Sequence, residues 1–359
     1  MTGDRIEGLD LWRALLVLAG LFVHASFQLP RVALFEVVEG ASQAFRMGAF
    51  FAISGLLAAG VLQRRRPLDW LAGRAMQLGV PAIVGLATLS PLIWLLVASA
   101  PRAAGRMPLP FEWHHLWFLY ALSLYSLVAI GLDHVDRRHA LAARIEARVT
   151  GAASARTAML LAAVAVAVLI GASTALMTWV LPGWALLPFV NLQLMAGYLP
   201  MFVLGFALGR CEQLRREYVR AGGFALAVVA AAGLAFALAH VAPLTPEWQA
   251  RARFAAVVLC PPAAFALILR SALAIRRTPP ALRRIADASY TIYVLHLPIA
   301  AAINTRVGSM LDPHLAYALC AATAGVGSYW LHVGVVSRVP LLALLVNGRQ
   351  VRRREAALA

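Results

Sequence analysis

Apolar residues in this chain fall into long runs, not the alternation of a half-buried strand or the narrow stripe of a surface helix. Ten runs approach the roughly 20 residues a bilayer core requires: 9–29, 41–62, 76–99, 116–132, 157–181, 189–209, 222–241, 254–273, 288–304 and 315–346. The last carries Arg338 and Pro340, so it is expected to end or kink near Ser337. The pattern predicts an all-α, polytopic transmembrane helix bundle of about ten spans, forming a single membrane domain over 1–359. An even number of crossings puts both termini on one side. The first run does not read as a cleaved signal segment, because it holds Asp10, Arg13 and His24 and leads directly into further spans. No internal repeat or appended soluble domain is expected.

Composition points the same way. Hydrophobic residues make up 62% of the 359 positions and charged residues only 13%, and the mean hydropathy is +0.76. A soluble chain of this length needs more polar surface, so the protein must be integral to a lipid bilayer. The net charge of +16 first suggests nucleic acid. However, the arginines lie in short loops between apolar runs, the positive-inside pattern, and no nucleic-acid partner is expected. One set of loops collects Arg64, Arg65, Arg66 and Arg74, then the groups 137–156, 210–220, 270–284 and 349–354. The opposite loops and span ends hold only Arg31, Arg46, Arg102, Arg106, Arg251, Arg253 and Arg306. That asymmetry predicts an N-in, C-in orientation. Cys211, Cys260 and Cys320 have neither metal-ligand spacing nor a disulfide pattern, so packing roles and no metal are expected.

Four patches interrupt the apolar pattern. The first runs from Gly8 through Asp10 and Arg13 to His24. Arg13 and His24 are eleven residues apart, which returns to within roughly 20° of the same helical face at a rise of about 16 Å. Ionisable groups inside a bilayer are costly, so two on one stripe call for a function. A neutral imidazole suits general-base work near physiological pH, and an arginine suits a phosphate or carboxylate. An interfacial Asp10–Arg13 pair with a structurally bonded histidine is the plainer reading. The second patch is Phe50-Phe51-Ala-Ile-Ser54-Gly55, followed by Arg64, Arg65, Arg66 and Arg74. Ser54 and Gly55 read as close helix packing, and the arginines as lipid anchors or as a cradle for a polyphosphate.

The third patch, His114-His115-Leu-Trp117-Phe-Leu-Tyr120, reads equally as an interfacial aromatic belt or as a platform for sugar rings. The fourth places Ser289, Tyr293 and His296 on one helical stripe, either as structural glue or as part of a cavity. A proton-coupled transporter would also use such residues, but it predicts helices broken at paired positions in two halves, which are not evident.

In this order, Asp10-Leu-Trp-Arg13 with His24, Phe50-Phe-Ala-Ile-Ser-Gly55, His115-Leu-Trp-Phe-Leu and Ser289-Tyr-Thr-Ile-Tyr-Val-Leu-His296 resemble the acyltransferase-3 family over essentially the whole chain. The His-Leu-Trp-Phe-Leu block is similar to the glucan succinyltransferase branch. The resemblance implies a membrane O-acyltransferase of the bacterial cytoplasmic (inner) membrane. It would move an acetyl or succinyl group from cytoplasmic acyl-CoA to a hydroxyl of an envelope or secreted carbohydrate, a glycan or glycolipid. Acyl-CoA is then a donor substrate, and no bound cofactor is implied. His24 matches the family's essential histidine and Arg13 its intramembrane arginine. Arg74 matches the first of two loop arginines three residues apart. Gln77 stands where the second is usual, which bears on donor affinity or identity, and Arg65 and Arg66 are candidates to supply that charge. His115, Trp117, Tyr293 and His296 are the substrate-side candidates, the last two also for oxyanion stabilisation.

Overall fold

The computed structural model describes residues 6–100, 106–152, 155–175, 192–241, 245–308 and 310–349, and among these there is no strand. The helices in chain order are α1 (Glu7–His24), α2 (Ala33–Leu62), α3 (Pro67–Arg74), α4 (Val80–Ala98), α5 (Trp117–His139), α6 (Leu141–Ala152), α7 (Ala155–Ala175), α8 (Leu192–Arg210), α9 (Glu212–Arg220), α10 (Gly222–Val241), α11 (Pro246–Ala274), α12 (Pro280–Arg306), α13 (Pro313–Leu331) and α14 (Pro340–Asn347). Proline opens α3, α11, α12, α13 and α14 in the first turn, where its missing N–H costs nothing.

Among the described residues, five helical stretches are long and apolar enough to cross a bilayer: Ala33–Leu62, Pro67–Ala98, His114–His139, Pro280–Arg306 and Pro313–Val336. A sixth arises if Leu194–Arg210 and Glu212–Arg220, bent by 112° at their junction, count as one span. Parts of two sequence-predicted spans, 176–181 and 189–191, lie outside the described residues. Several boundaries differ from the sequence reading. Helix α2 begins at Ala33, eight residues before the predicted start, so Arg46 lies well inside it and not at a span end. The third stretch begins before the predicted run 76–99, with the amphipathic α3, and passes through a single π turn, Ala75–Gly79, before α4. The last run continues from α13 through a second π turn, His332–Val336, and breaks just before Pro340, close to the kink expected at Ser337.

The bundle is held where side chains are absent. A Cβ built on Gly55 of α2 would collide with the Phe202 carbonyl of α8, and one on Gly205 with the Ala52 carbonyl. A Cβ on Gly209 would stand 2.7 Å from both the Leu56 carbonyl oxygen and the Ala59 side chain. The small-residue pattern Gly205-Phe-Ala-Leu-Gly209 therefore pairs two helices of the same chain, with backbone contact supplying the attraction that lipid cannot. Gly205→Val is expected to separate α2 from α8 and cost about 3 kcal/mol or more. Gly60→Ala, at an open position of α2, is expected to be neutral or better. Thermal unfolding of the two variants in detergent checks the contrast. Cys211, Cys260 and Cys320 are free thiols buried among these helices.

Candidate active site

Helix α1 is fixed at both ends, and this determines where Arg13 and His24 point. At its start Gly8 lies against the Ala272 backbone of α11, too close for any side chain, and Trp12 Nε1 donates to Ser271 Oγ at 2.8 Å. At its end Asn304 Nδ2 of α12 donates to the carbonyls of Ala25 (2.9 Å) and Phe27 (2.7 Å), satisfying backbone acceptors that the helix leaves open. His24 is the last residue of α1, one position before the capped turn. The predicted Asp10–Arg13 pair is present at 3.7 Å, and the Arg13 guanidinium lies 5.9 Å from the centre of the Phe50 ring.

Three histidines from distant parts of the chain meet at His24. The ring centres are 5.2 Å apart for His24 and His296, 6.1 Å for His24 and His115, and 4.9 Å for His115 and His296. Backbone carbonyls set the protons on two of them. His115 Nε2–H donates to Val294 O at 3.1 Å, and His296 Nδ1–H donates to Ile292 O at 3.0 Å. Their other ring nitrogens, His115 Nδ1 and His296 Nε2, are buried, have no hydrogen-bond partner among the described residues, and remain acceptors in the neutral rings. Tyr293 donates its hydroxyl to the His115 carbonyl, locking α12 against the segment before α5. Between these groups lies a cavity of about 30 Å³, lined by Val17, His24, Arg46, Met47, Phe50, His115, Trp117, Phe118 and Tyr293. It has room for about one or two waters, or for one hydroxyl. Among the described residues no group of three or more His, Cys, Asp or Glu has metal-holding geometry.

A second cluster forms where α1, α3 and the first π turn meet. Arg74 Nη1 donates to Gln77 Oε1 at 3.2 Å, and its guanidinium lies 6.0 Å from the Trp70 ring centre. Arg74 is near enough to Arg13 and Tyr290 to feel both electrostatically. The Tyr290 hydroxyl donates to the Gln77 carbonyl at 2.7 Å, and Gly348, at φ +60°, lies against the Met76–Gln77 backbone where a Cβ would not fit. Arg65 and Arg66 are exposed on the turn between α2 and α3 and join neither cluster.

The acyltransferase-3 family model, an acyltransferase domain, matches residues 6–333. The chain belongs to the acyltransferase-3 family. With several apolar helices fit to cross a bilayer, it is a membrane acyltransferase. The curated proteins and the solved structures yield no match. Apart from Gly348, both clusters lie within the matched residues, and the transporter reading finds no support in this assignment.

Within this acyltransferase the sequence-derived candidates divide cleanly. His24, His115, Trp117 and Tyr293 line the cavity, and His296 touches its rim through the other two histidines. Trp117 stacks on Tyr198 with ring centres 5.9 Å apart and presents its indole inward, so it is more than an interfacial anchor. Ser289 turns back to the Ala286 carbonyl of its own helix and takes no part in the stripe. Ser54 likewise bonds to Phe50 O within α2. His114 has a positive φ of 41°, and its ring packs on Phe27 while His115 enters the cluster. Arg46 and Gln77 are the residues that sequence reasoning placed wrongly or left without a partner.

Proposed function

We propose that this membrane acyltransferase transfers an acetyl or succinyl group from acyl-CoA to a carbohydrate hydroxyl, with His24 as general base. The observation that carries the reading is the cavity. It puts the His24 imidazole, the His115 ring with its unpartnered Nδ1 and an indole face around a space the size of one hydroxyl. The His-Leu-Trp-Phe-Leu block favours the glucan succinyltransferase branch among possible acceptor classes, with lipopolysaccharide, capsule and small glycosides as the others. We place the protein as one membrane domain of about ten spans, N-in and C-in, in a bacterial cytoplasmic membrane.

Coenzyme A docks on the arginine-rich face, its phosphates held by Arg74 and Arg13 through charge-assisted hydrogen bonds, with Arg65 and Arg66 steering it from the exposed turn. The thioester reaches towards mid-membrane along the Arg13–His24 stripe. The acceptor hydroxyl enters the cavity from the other side, beside the Trp117 indole, and donates its single proton to His24. His24 removes its proton as the oxygen attacks the acyl carbon. Positioning and proton transfer together supply most of the acceleration.

Gln77 takes a part in donor binding that an arginine would fill with charge. Its side-chain oxygen accepts from Arg74 and holds that guanidinium in place. Gln77→Ala is expected to raise the apparent KM for the donor about three- to tenfold with little change in the saturating rate, since it removes an orienting bond from ground-state binding. Kinetics against donor concentration check this.

The reading as a whole is tested in inverted membrane vesicles given radiolabelled acetyl-CoA or succinyl-CoA. It predicts base-labile label in glycan from at least one donor. Vesicles that transfer neither group but show proton-linked solute flux would overturn it.

A further inference from the structure

Arg46 lies in the cavity but has no part in the steps above. It sits thirteen residues into the apolar helix α2, and its Nε donates to Ser42 Oγ at 2.6 Å. Among the described residues no carboxylate lies within ion-pair distance of it. Its guanidinium reaches across to α1 at Gly20. A Cβ built on Gly20 would stand 2.6 Å from Arg46 Nη1, so the guanidinium packs against the bare Gly20 backbone and a side chain there would push it aside. Gly20 is one helical turn before His24 on the same face, a rise of about 6 Å. The guanidinium therefore lies beside the base, on the side from which Arg13 and Phe50 continue the stripe. A permanent cation kept inside a bilayer protein with no fixed counter-charge implies a negative partner that comes and goes.

We propose that Arg46 is the oxyanion donor of the transfer reaction. This rests on the acyl-transfer reading above. As the acceptor oxygen bonds to the thioester carbon, His24 takes the hydroxyl proton and the carbonyl electron pair moves onto oxygen. Arg46 donates hydrogen bonds to that oxyanion. On collapse the C=O bond re-forms, the C–S bond breaks, and the thiolate of coenzyme A takes the proton back from His24. Tyr293 does not serve this purpose, because its one hydroxyl proton is committed to the His115 carbonyl. A donor aimed only at developing charge acts on the rate of the chemical step and not on donor binding.

The test compares membranes containing wild type, Arg46→Gln, Arg46→Lys and Gly20→Ala at matched protein levels. Initial rates of label transfer to endogenous glycan are measured against the concentration of acetyl-CoA and, separately, of succinyl-CoA. Arg46→Gln is expected to lower the saturating rate about 100-fold or more with both donors, leaving the apparent KM within about threefold. Arg46→Lys should recover about tenfold of that loss, and Gly20→Ala, which displaces the guanidinium, should cost about tenfold or more. A wild-type saturating rate in Arg46→Gln would overturn the proposal. So would a loss confined to succinyl transfer, which would make Arg46 a site for the far carboxylate of the acyl group. Should Arg46→Gln fail to accumulate, wild-type rates in both Arg46→Lys and Gly20→Ala would overturn it instead. Wild-type membranes that transfer neither group would remove the underlying reaction, a distinct outcome.

Discussion

Membranes containing His24→Ala should transfer acyl label about 10²- to 10⁴-fold more slowly than wild type at saturating donor, with donor KM nearly unchanged. The expectation follows from position. His24 is the end residue of α1, held by the Asn304 cap and facing two histidines whose own protons are tied to backbone carbonyls. His115 and His296 keep free acceptor nitrogens, yet both rings are anchored and only His115 lines the cavity beside His24. Neither can swing into the place of a missing base without giving up a buried hydrogen bond. Donor binding is assigned to the Arg13–Arg74 cluster more than two helical turns away along α1, so the loss should appear in the rate and not in affinity. Rate against donor concentration, at matched protein levels, separates the two.

A large loss of stability should follow Asp133→Asn. Asp133 of α5 is a buried carboxylate, only 2% exposed, paired with Arg210 of α8 and with Arg137 Nε at 2.8 Å. Asp136 stands 3.7 Å from Arg210 on the other side, and the Arg210 side chain is itself 9% exposed. Arg137 also donates to the Leu62 carbonyl, so the cluster ties the end of α2 to α5 and α8. Removing Asp133 leaves the desolvated Arg210 with only the longer Asp136 contact, and the expected cost is about 3 kcal/mol. Asp133→Asn combined with Arg210→Gln should cost less than the sum of the single changes, because the stranded charge goes with its partner. Denaturant unfolding in mixed micelles measures all three. Additive losses would mean that the two groups do not stabilise one another.

Arg210 also shows what charge counting along a sequence misses. Position in the sequence puts it among the loop arginines of the positive-inside set, yet Asp133 and Asp136 neutralise it inside the protein. Arg46 was misplaced by the same logic, since its span was started at Ala41 and the helix in fact begins at Ala33. Its signal was available as an arginine deep within an apolar run, with Ser42 one turn earlier. The Arg13–His24 stripe was legible because both residues share one helix, whose period alone puts them on one face. The meeting of His24, His115 and His296 was not, because it joins α1, the segment before α5 and α12, which no local spacing relates. The π turn at Ala75–Gly79 is invisible to hydropathy, yet it puts the Gln77 carbonyl within reach of Tyr290 and the Gln77 side chain within reach of Arg74.

Delivering the donor to one membrane face at a time separates the proposed geometry from its alternatives. Inverted and right-side-out vesicles of wild type and His24→Ala, matched for protein, receive radiolabelled acyl-CoA from outside. The account predicts transfer to glycan only when the donor meets the face bearing Arg74 and the turn of Arg65 and Arg66, and only with His24 intact. Equal transfer from the opposite face, or undiminished transfer in His24→Ala, would contradict it.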